Sequence, residues 1–256
     1  MLFLRSLLFQ TAFYLGTLIM MIVFAPFVFL TPRRVAWIVV PFWARANLLF
    51  LRWFAGVTLE VRGAQHIPQG GFIVASKHQS VWETFALIPH FRDPTYILKR
   101  ELRWIPIFGW YTAKMKQIPI NRGKRAAALA AMMDAAKEAI GEGRQILIFP
   151  EGTRRPAGGE PKYKFGISHL YRELECPVLP VALNAGVYWP RQSFFIYPGK
   201  VILEFLPPIA PGLDQQAFFD RLTGDIETAS DRLLEEARAE ARPSPVLRDI
   251  PVRAAS

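Results

Sequence analysis

"GFIVASKHQSVWET", residues 71–84, runs from an apolar stretch through a polar turn into residues that suit the start of a helix. Ile73 and Val74 inside a short, uninterrupted apolar run mark a buried strand, and Lys77–Ser80 mark the turn that ends it. Similar short apolar runs recur down the chain: "VTLEVRG" (57–63), "TYILK" (95–99), "QIPI" (117–120), "QILIFP" (145–150), "PVLPVAL" (177–183), "FFIYP" (194–198) and "VILEFL" (201–206). Helical patterns fall between or after them at about 80–90, 101–113, 124–141, 166–175 and 214–241. In 124–141, Leu129, Met132, Met133, Ala136 and Ile140 repeat at helical spacing and Gly141 and Gly143 stop it, the pattern of a core-facing helix. Alternating strands and helices predict an α/β fold, a mixed, mainly parallel sheet flanked by helices, with antiparallel pairing near its end. Functional side chains in such sheets sit beyond the carboxyl ends of the strands. His78 stands at that place.

Upstream the character changes. From Leu7 to Leu30 no residue is charged, and as a helix these 24 residues extend roughly 36 Å, enough for a hydrocarbon core of about 30 Å. "TPRR" (31–34) breaks the run. "VAWIVVPFWARANLLFLRWF" (35–54) resumes it with Arg45 and Arg52 inside, which suits an interfacial helix carrying Trp37, Trp43 and Trp53 at the boundary. The sequence therefore divides into a membrane-embedded helical segment (1–55), a catalytic-type domain (56–241) and a flexible proline-containing tail (242–256). Arg33 and Arg34 against the single Arg5 place the domain on the cytoplasmic side by the positive-inside rule. A hairpin dipping into one leaflet gives the same side.

Composition agrees with a lipid environment. Hydrophobic residues make up 52% of the 256, mean hydropathy is +0.18, and the net charge is +10. The excess sits in residues 33–126, where 15 Lys/Arg face 4 Asp/Glu directly after the most apolar segment. Such a block suits anionic lipid head groups, and no nucleic-acid recognition motif accompanies it. The single cysteine, Cys176, excludes an intrachain disulfide and the cysteine-based zinc sites. The four histidines show no metal-ligand spacing, and neither a phosphate-loop nor a dinucleotide fingerprint is present. His66, His90 and His169 read as structural or surface residues.

Two readings of the opening stretch compete. His78 can be a general base whose ring is oriented by Glu83 five positions later, or an ordinary surface histidine beside a helix cap. Ser80 as nucleophile lacks the G-x-S-x-G elbow. A second stretch bears on the choice, although solvated basic loops remain the plain alternative for it. "QILIFPEGTRR" (145–155) is an apolar strand ending in Glu151, Gly152, Thr153, Arg154 and Arg155, and arginine at a strand's carboxyl end forks onto a phosphate. "IPINRGKR" (118–125) repeats that plan with Arg122, Lys124 and Arg125.

The four blocks "KHQSVWE" (77–83), "IPINR" (118–122), "FPEGTR" (149–154) and "VLPVAL" (178–183), in this order, resemble the lysophosphatidic acid acyltransferases within the glycerolipid acyltransferase family. The resemblance runs from about residue 57 to 206 and extends to the apolar N-terminal region of bacterial members. It implies His78 as base, Glu83 as its carboxylate partner and Lys99 as an oxyanion-stabilising cation. It also implies Arg122, Glu151, Gly152, Thr153 and Arg154 as the acceptor-binding positions. Implied too are an acyl-CoA or acyl carrier protein co-substrate, no cofactor or metal, and a bacterial inner membrane. The family usually has Asp where Glu83 stands and Asn where Lys77 stands, and the added charge of Lys77 bears on acceptor identity. Within the same chemistry the acceptor can be another lysolipid, such as a lyso-ornithine lipid, or glycerol 3-phosphate. From another class, a non-catalytic lipid-binding module would use the basic block alone.

Overall fold

The structure, a computed structural model, describes residues 1–120 and 125–251, with residues 125–129 described by backbone only. Seven strands, β1 (Val57–Arg62), β2 (Phe72–Ser76), β3 (Pro94–Lys99), β4 (Ile118–Ile120), β5 (Gln145–Ile148), β6 (Val178–Leu183) and β7 (Gly199–Phe205), form one sheet. The helices are α1 (Leu2–Leu30), α2 (Arg33–Ala36), α3 (Val39–Phe50), α4 (Glu83–Ala86), α5 (Phe108–Lys114), α6 (Arg125–Gly141), α7 (Gly166–Leu174), α8 (Ala185–Tyr188) and α9 (Gln215–Arg238). The sheet order is β1-β7-β6-β2-β5-β3-β4. Every neighbouring pair is parallel except β6 with β7, so β7 and β1 run against the rest, as the expected mixed sheet requires.

β2 is central, and its side chains alternate between two cores. Phe72 and Val74 join a cluster with Phe85 of α4 and Leu51 after α3, while Ile73 and Ala75 join Met132 and Ala136 of α6, Ile167 of α7 and Phe218 of α9. Burial on both faces explains the unbroken apolar run. Register then fixes the site: Leu147 of β5 lies beside Val74 of β2 on one side and Tyr96 of β3 on the other. His78, Lys99 and Glu151 follow those residues by three or four positions and emerge at the same edge of the sheet.

Several expectations change in the structure. "FFIYP" (194–198) belongs to no strand. Its hydrogen bonds go elsewhere: Ile196 N–H donates to Ser6 Oγ (3.0 Å) and Phe194 C=O accepts from Gln10 Nε2 (3.3 Å), both on α1. The helix expected over 80–90 shrinks to α4 and a 3₁₀ turn, Ile88–His90, because Pro89 brings no N–H to extend it. That over 101–113 splits into a 3₁₀ turn, Arg100–Trp104, and α5, with Ile107 between them at φ +64°. The tail is not loose as far as it is described. Leu247 is buried, Arg238 donates to the carbonyls of Leu247 and Ile250 (3.4 and 2.7 Å), and Ser244 Oγ donates to Val187 O (2.7 Å).

The N-terminal segment also serves two environments. One side of α1 belongs to the folded domain: Phe9 and Phe13 pack edge-on against Trp189 (5.3 and 5.9 Å between ring centres), and Met21 C=O accepts from Tyr111 Oη. Its other side exposes Leu4, Leu8, Leu15, Ile19, Ile22 and Val23, and α3 adds Phe42 and Leu49. A continuous apolar surface of this extent marks a membrane-contact face, and Leu2–Leu30 and Arg33–Ala55 are both long and apolar enough to enter a bilayer. Arg33, one of the two arginines read for orientation, holds Asp93 through two bonds of 2.8 and 2.7 Å. A face this apolar would be held by burial in lipid and not by charge, so the full chain should stay in the membrane pellet through high-salt and carbonate washes. Release by salt alone would contradict it.

Candidate active site

The turn between β2 and α4 is built around one carboxylate. Glu83, the first residue of α4, is fully buried and folds back across the turn. Its Oε1 accepts from the Gln79 N–H (2.7 Å), the Ser80 N–H (2.7 Å) and His78 Nδ1 (2.9 Å). A carboxylate so placed fixes the imidazole with its proton on Nδ1, which leaves Nε2 as the basic nitrogen. Among the described residues Nε2 has no protein partner. The ring lies flat on Phe149 (4.1 Å between centres), behind which Tyr96 stacks in turn at 6.1 Å. Burial, with the Glu83 charge adding to it, pushes the Tyr96 phenol far above its ordinary value, so this hydroxyl stays protonated.

The "FPEGTR" loop locks onto this turn from below. The His78 N–H donates to Glu151 Oε2 (2.8 Å), and the Arg155 N–H donates to the His78 carbonyl (2.7 Å). Glu151 is 1% exposed, and burial holds its carboxyl above the usual range, an effect that Lys77 and the His78 N–H oppose. Lys77 is itself buried, with Nζ 3.1 Å from Glu151 Oε1 and paired also with Glu227 of α9. Tyr163 Oη donates to the same Glu227 (2.7 Å). The extra charge expected beside the base therefore points away from it and is neutralised. Glu151, expected among the acceptor-binding positions, turns its carboxylate to the His78 backbone N–H and to Lys77.

The remaining expected residues lie nearer the surface where they are described. Gly152 turns the loop at φ +67°, where a Cβ would lie 2.9 Å from the Lys164 side chain. Thr153 is exposed, and Arg154 is half-buried with no hydrogen bond or ion pair among the described residues. Lys99 is exposed at the carboxyl end of β3, paired in register with Ile120 of β4. Arg122 lies outside the described residues. Ser80 is buried, its Oγ accepting from the Trp82 N–H (3.3 Å), which leaves it unsuited to attack a substrate. Burial pushes the Cys176 thiol up to about 11, far from a reactive thiolate. Among the described residues no three metal-ligating side chains converge.

This geometry is a partly exposed base, an oriented carboxylate behind it and an unpaired arginine at the same sheet edge. A sequence model of the family described as Acyltransferase matches residues 58–184. A 1-acyl-sn-glycerol-3-phosphate acyltransferase of Pseudomonas aeruginosa is 37% identical over 93% of this chain and 89% of its own length. The chain belongs to this acyltransferase family. The human 1-acyl-sn-glycerol-3-phosphate acyltransferase alpha is 28% identical over 90% of this chain and 83% of its own. The crystal structure of the 1-acyl-sn-glycerophosphate acyltransferase PlsC from Thermotoga maritima superposes with a TM-score of 0.72 at 26% identity, covering 92% of this chain and 98% of that one.

Sequence reading missed Phe149, Gln79 and Glu227. Phe149 opens the "FPEGTR" block and could have been noticed there. Gln79 Oε1 accepts the Gly186 N–H (3.0 Å), tying the acyltransferase turn to α8, and Glu227 lies 150 positions from Lys77; neither has a local signal. Lys77→Met leaves two carboxylates around a buried site without their cation. It should lower unfolding stability by about 3–5 kcal/mol and reduce turnover by loosening the His78 turn. Thermal unfolding in detergent beside an activity assay checks both.

Proposed function

We propose that this acyltransferase moves a fatty acyl group from an acyl thioester, acyl-CoA or acyl-acyl carrier protein, to the free hydroxyl of 1-acyl-glycerol 3-phosphate, giving phosphatidic acid. The observation that carries the reading is the buried Glu83–His78 contact, with Nε2 left free on the sheet edge that also bears the unpaired Arg154. Nε2 takes the hydroxyl proton as that oxygen forms a bond to the thioester carbonyl carbon. The tetrahedral intermediate then collapses, the carbon–sulfur bond breaks, and the imidazolium returns its proton to the leaving thiolate. Base catalysis of this kind contributes about 10²–10⁴-fold. Lys99, together with backbone amides, offers charge to the oxyanion. Arg154 and Arg122 hold the acceptor phosphate, with Gly152 and Thr153 shaping the loop. Each proton is handled by the chain's own side chains, and the thioester is a co-substrate, so the scheme needs no cofactor.

The membrane face supports a lipid acceptor. Because α1 leans on the domain from Ser6 to Tyr111's partner Met21, we read α1 and α3 as resting in one leaflet of a bacterial inner membrane. The domain then lies on the cytoplasmic side, a placement favoured by Arg34 and the basic block after α1. Purified protein given lysophosphatidic acid and a labelled acyl thioester should form labelled phosphatidic acid. Faster acylation of a lyso-ornithine lipid or of glycerol 3-phosphate would reassign the acceptor, and thioester binding without transfer to any acceptor would defeat the reading.

A further inference from the structure

α3 does not end as an ordinary helix. It widens into a π-turn, Leu51–Ala55, before Gly56 at φ +71° reverses the chain into β1. Widened turns of this kind are rare and are found frequently at functional sites. Arg45, Leu48 and Arg52 lie along the face of this segment that looks toward the start of β1, and between the two elements is a cavity of about 370 Å³. Its walls are apolar, with Leu48, Leu51 and Leu59 on the sides and the indole of Trp82 at the inner end. Arg45 and Arg52 are exposed at the mouth, about two helical turns apart. Neither has a hydrogen-bond or ion-pair partner among the described residues, and no Asp or Glu lines the cavity.

An apolar cavity of this size with two unpaired guanidinium groups at its mouth calls for an amphiphile: a hydrocarbon chain inside and an anionic oxygen group outside. Water solvates the two guanidinium groups but leaves the apolar walls unsatisfied. The cavity opens beside Leu49 and the exposed Trp53, on the same membrane-contact surface as α1 and α3. We propose that it binds an intact anionic phospholipid of the surrounding leaflet, with one acyl chain among the leucines and the phosphate held by Arg45 and Arg52.

This site is separate from the acceptor site proposed above. His78, Lys99 and Arg154 do not line it. The two communicate through one residue: Trp82 closes the cavity while its neighbour Glu83 holds His78, and the Trp82 N–H donates to Ser80 Oγ within the catalytic turn. A chain packed against Trp82 steadies that turn, so occupancy raises the fraction of enzyme with His78 correctly oriented. The enzyme would then respond to the anionic lipid content of its own membrane.

The test uses the full-length protein in neutral detergent, titrated with phosphatidylglycerol brominated on its acyl chains, which quenches tryptophans it touches. We expect a saturable quenching component that disappears in Trp82→Phe and whose half-saturation rises at least tenfold in Arg45→Gln/Arg52→Gln. Brominated phosphatidylcholine should bind at least tenfold more weakly. Equal quenching by both lipids, or an unchanged curve for the double glutamine variant, would overturn the proposal. So would displacement of the quencher by acyl thioester, which would make the cavity part of the substrate path. Should Trp82→Phe fail to fold, mass spectrometry of lipid retained by the wild-type chain and by the double variant gives the same decision, because both arginines are exposed and their replacement leaves the core intact. The binding readout does not depend on turnover, so a failed acylation assay and a failed lipid site remain distinguishable.

Discussion

His78→Ala should abolish acyl transfer and leave the fold intact, because the ring is partly exposed and packs mainly on Phe149. Without the imidazole no group among the described residues at this sheet edge is placed to take the acceptor proton, and the loss should reach about the 10²–10⁴-fold that base catalysis contributes, or more. Glu83→Gln keeps an oxygen that can accept the turn's N–H bonds but removes the negative charge that stabilises the imidazolium, so much of the rate should go. Glu83→Asp, one methylene shorter, should retain appreciable activity, since the family resemblance puts aspartate at this position. The two residues act as a unit, so His78→Ala/Glu83→Gln should be no slower than His78→Ala alone. Ser80→Ala should be mild, because its hydroxyl serves only the Trp82 N–H. A labelled acyl group trapped on Ser80 would overturn direct transfer. Rates measured beside unfolding curves separate these losses from simple destabilisation.

The sequence announces β2 and β5 clearly because both faces of each strand are covered, so their inner positions are apolar in an unbroken run. It also places His78, since a polar turn after such a strand must open at the sheet edge. Other features depend on distant partners that local pattern cannot supply. "FFIYP" has strand-like residues, yet Ser6 and Gln10 of α1 take its backbone bonds. The tail has little periodicity, yet the Arg238 guanidinium holds its carbonyls. Hydropathy cannot distinguish lipid from protein core, so Phe9 and Phe13 read as membrane residues although they fill the domain's own core. Charge type misleads in the same way. Glu151 looks like an acceptor-binding residue from its motif position, yet its carboxylate meets the His78 N–H and Lys77, and Lys77 is paired in turn by Glu227 of the distant α9.

Arg154 is the opposite case, a charge whose partner must come from outside. Its neighbour Glu151 already serves His78, and no other carboxylate among the described residues pairs with it. The sheet edge thus presents a guanidinium whose fork matches two phosphate oxygens. Arg154→Ala should raise the acceptor concentration needed for half-saturation by about 10–150-fold, the range for losing a hydrogen bond to a charged group worth about 1.5–3 kcal/mol. The thioester saturation curve should change little, since the donor's reacting group lies at His78. Arg154→Lys should recover only part of the loss, because an ammonium keeps the charge but cannot fork. Glu151→Gln should behave differently: with the His78 turn loosened, turnover should fall more than acceptor affinity. If both Arg154 variants keep the wild-type acceptor curve, the phosphate is held elsewhere, and the "FPEGTR" loop serves the His78 turn alone.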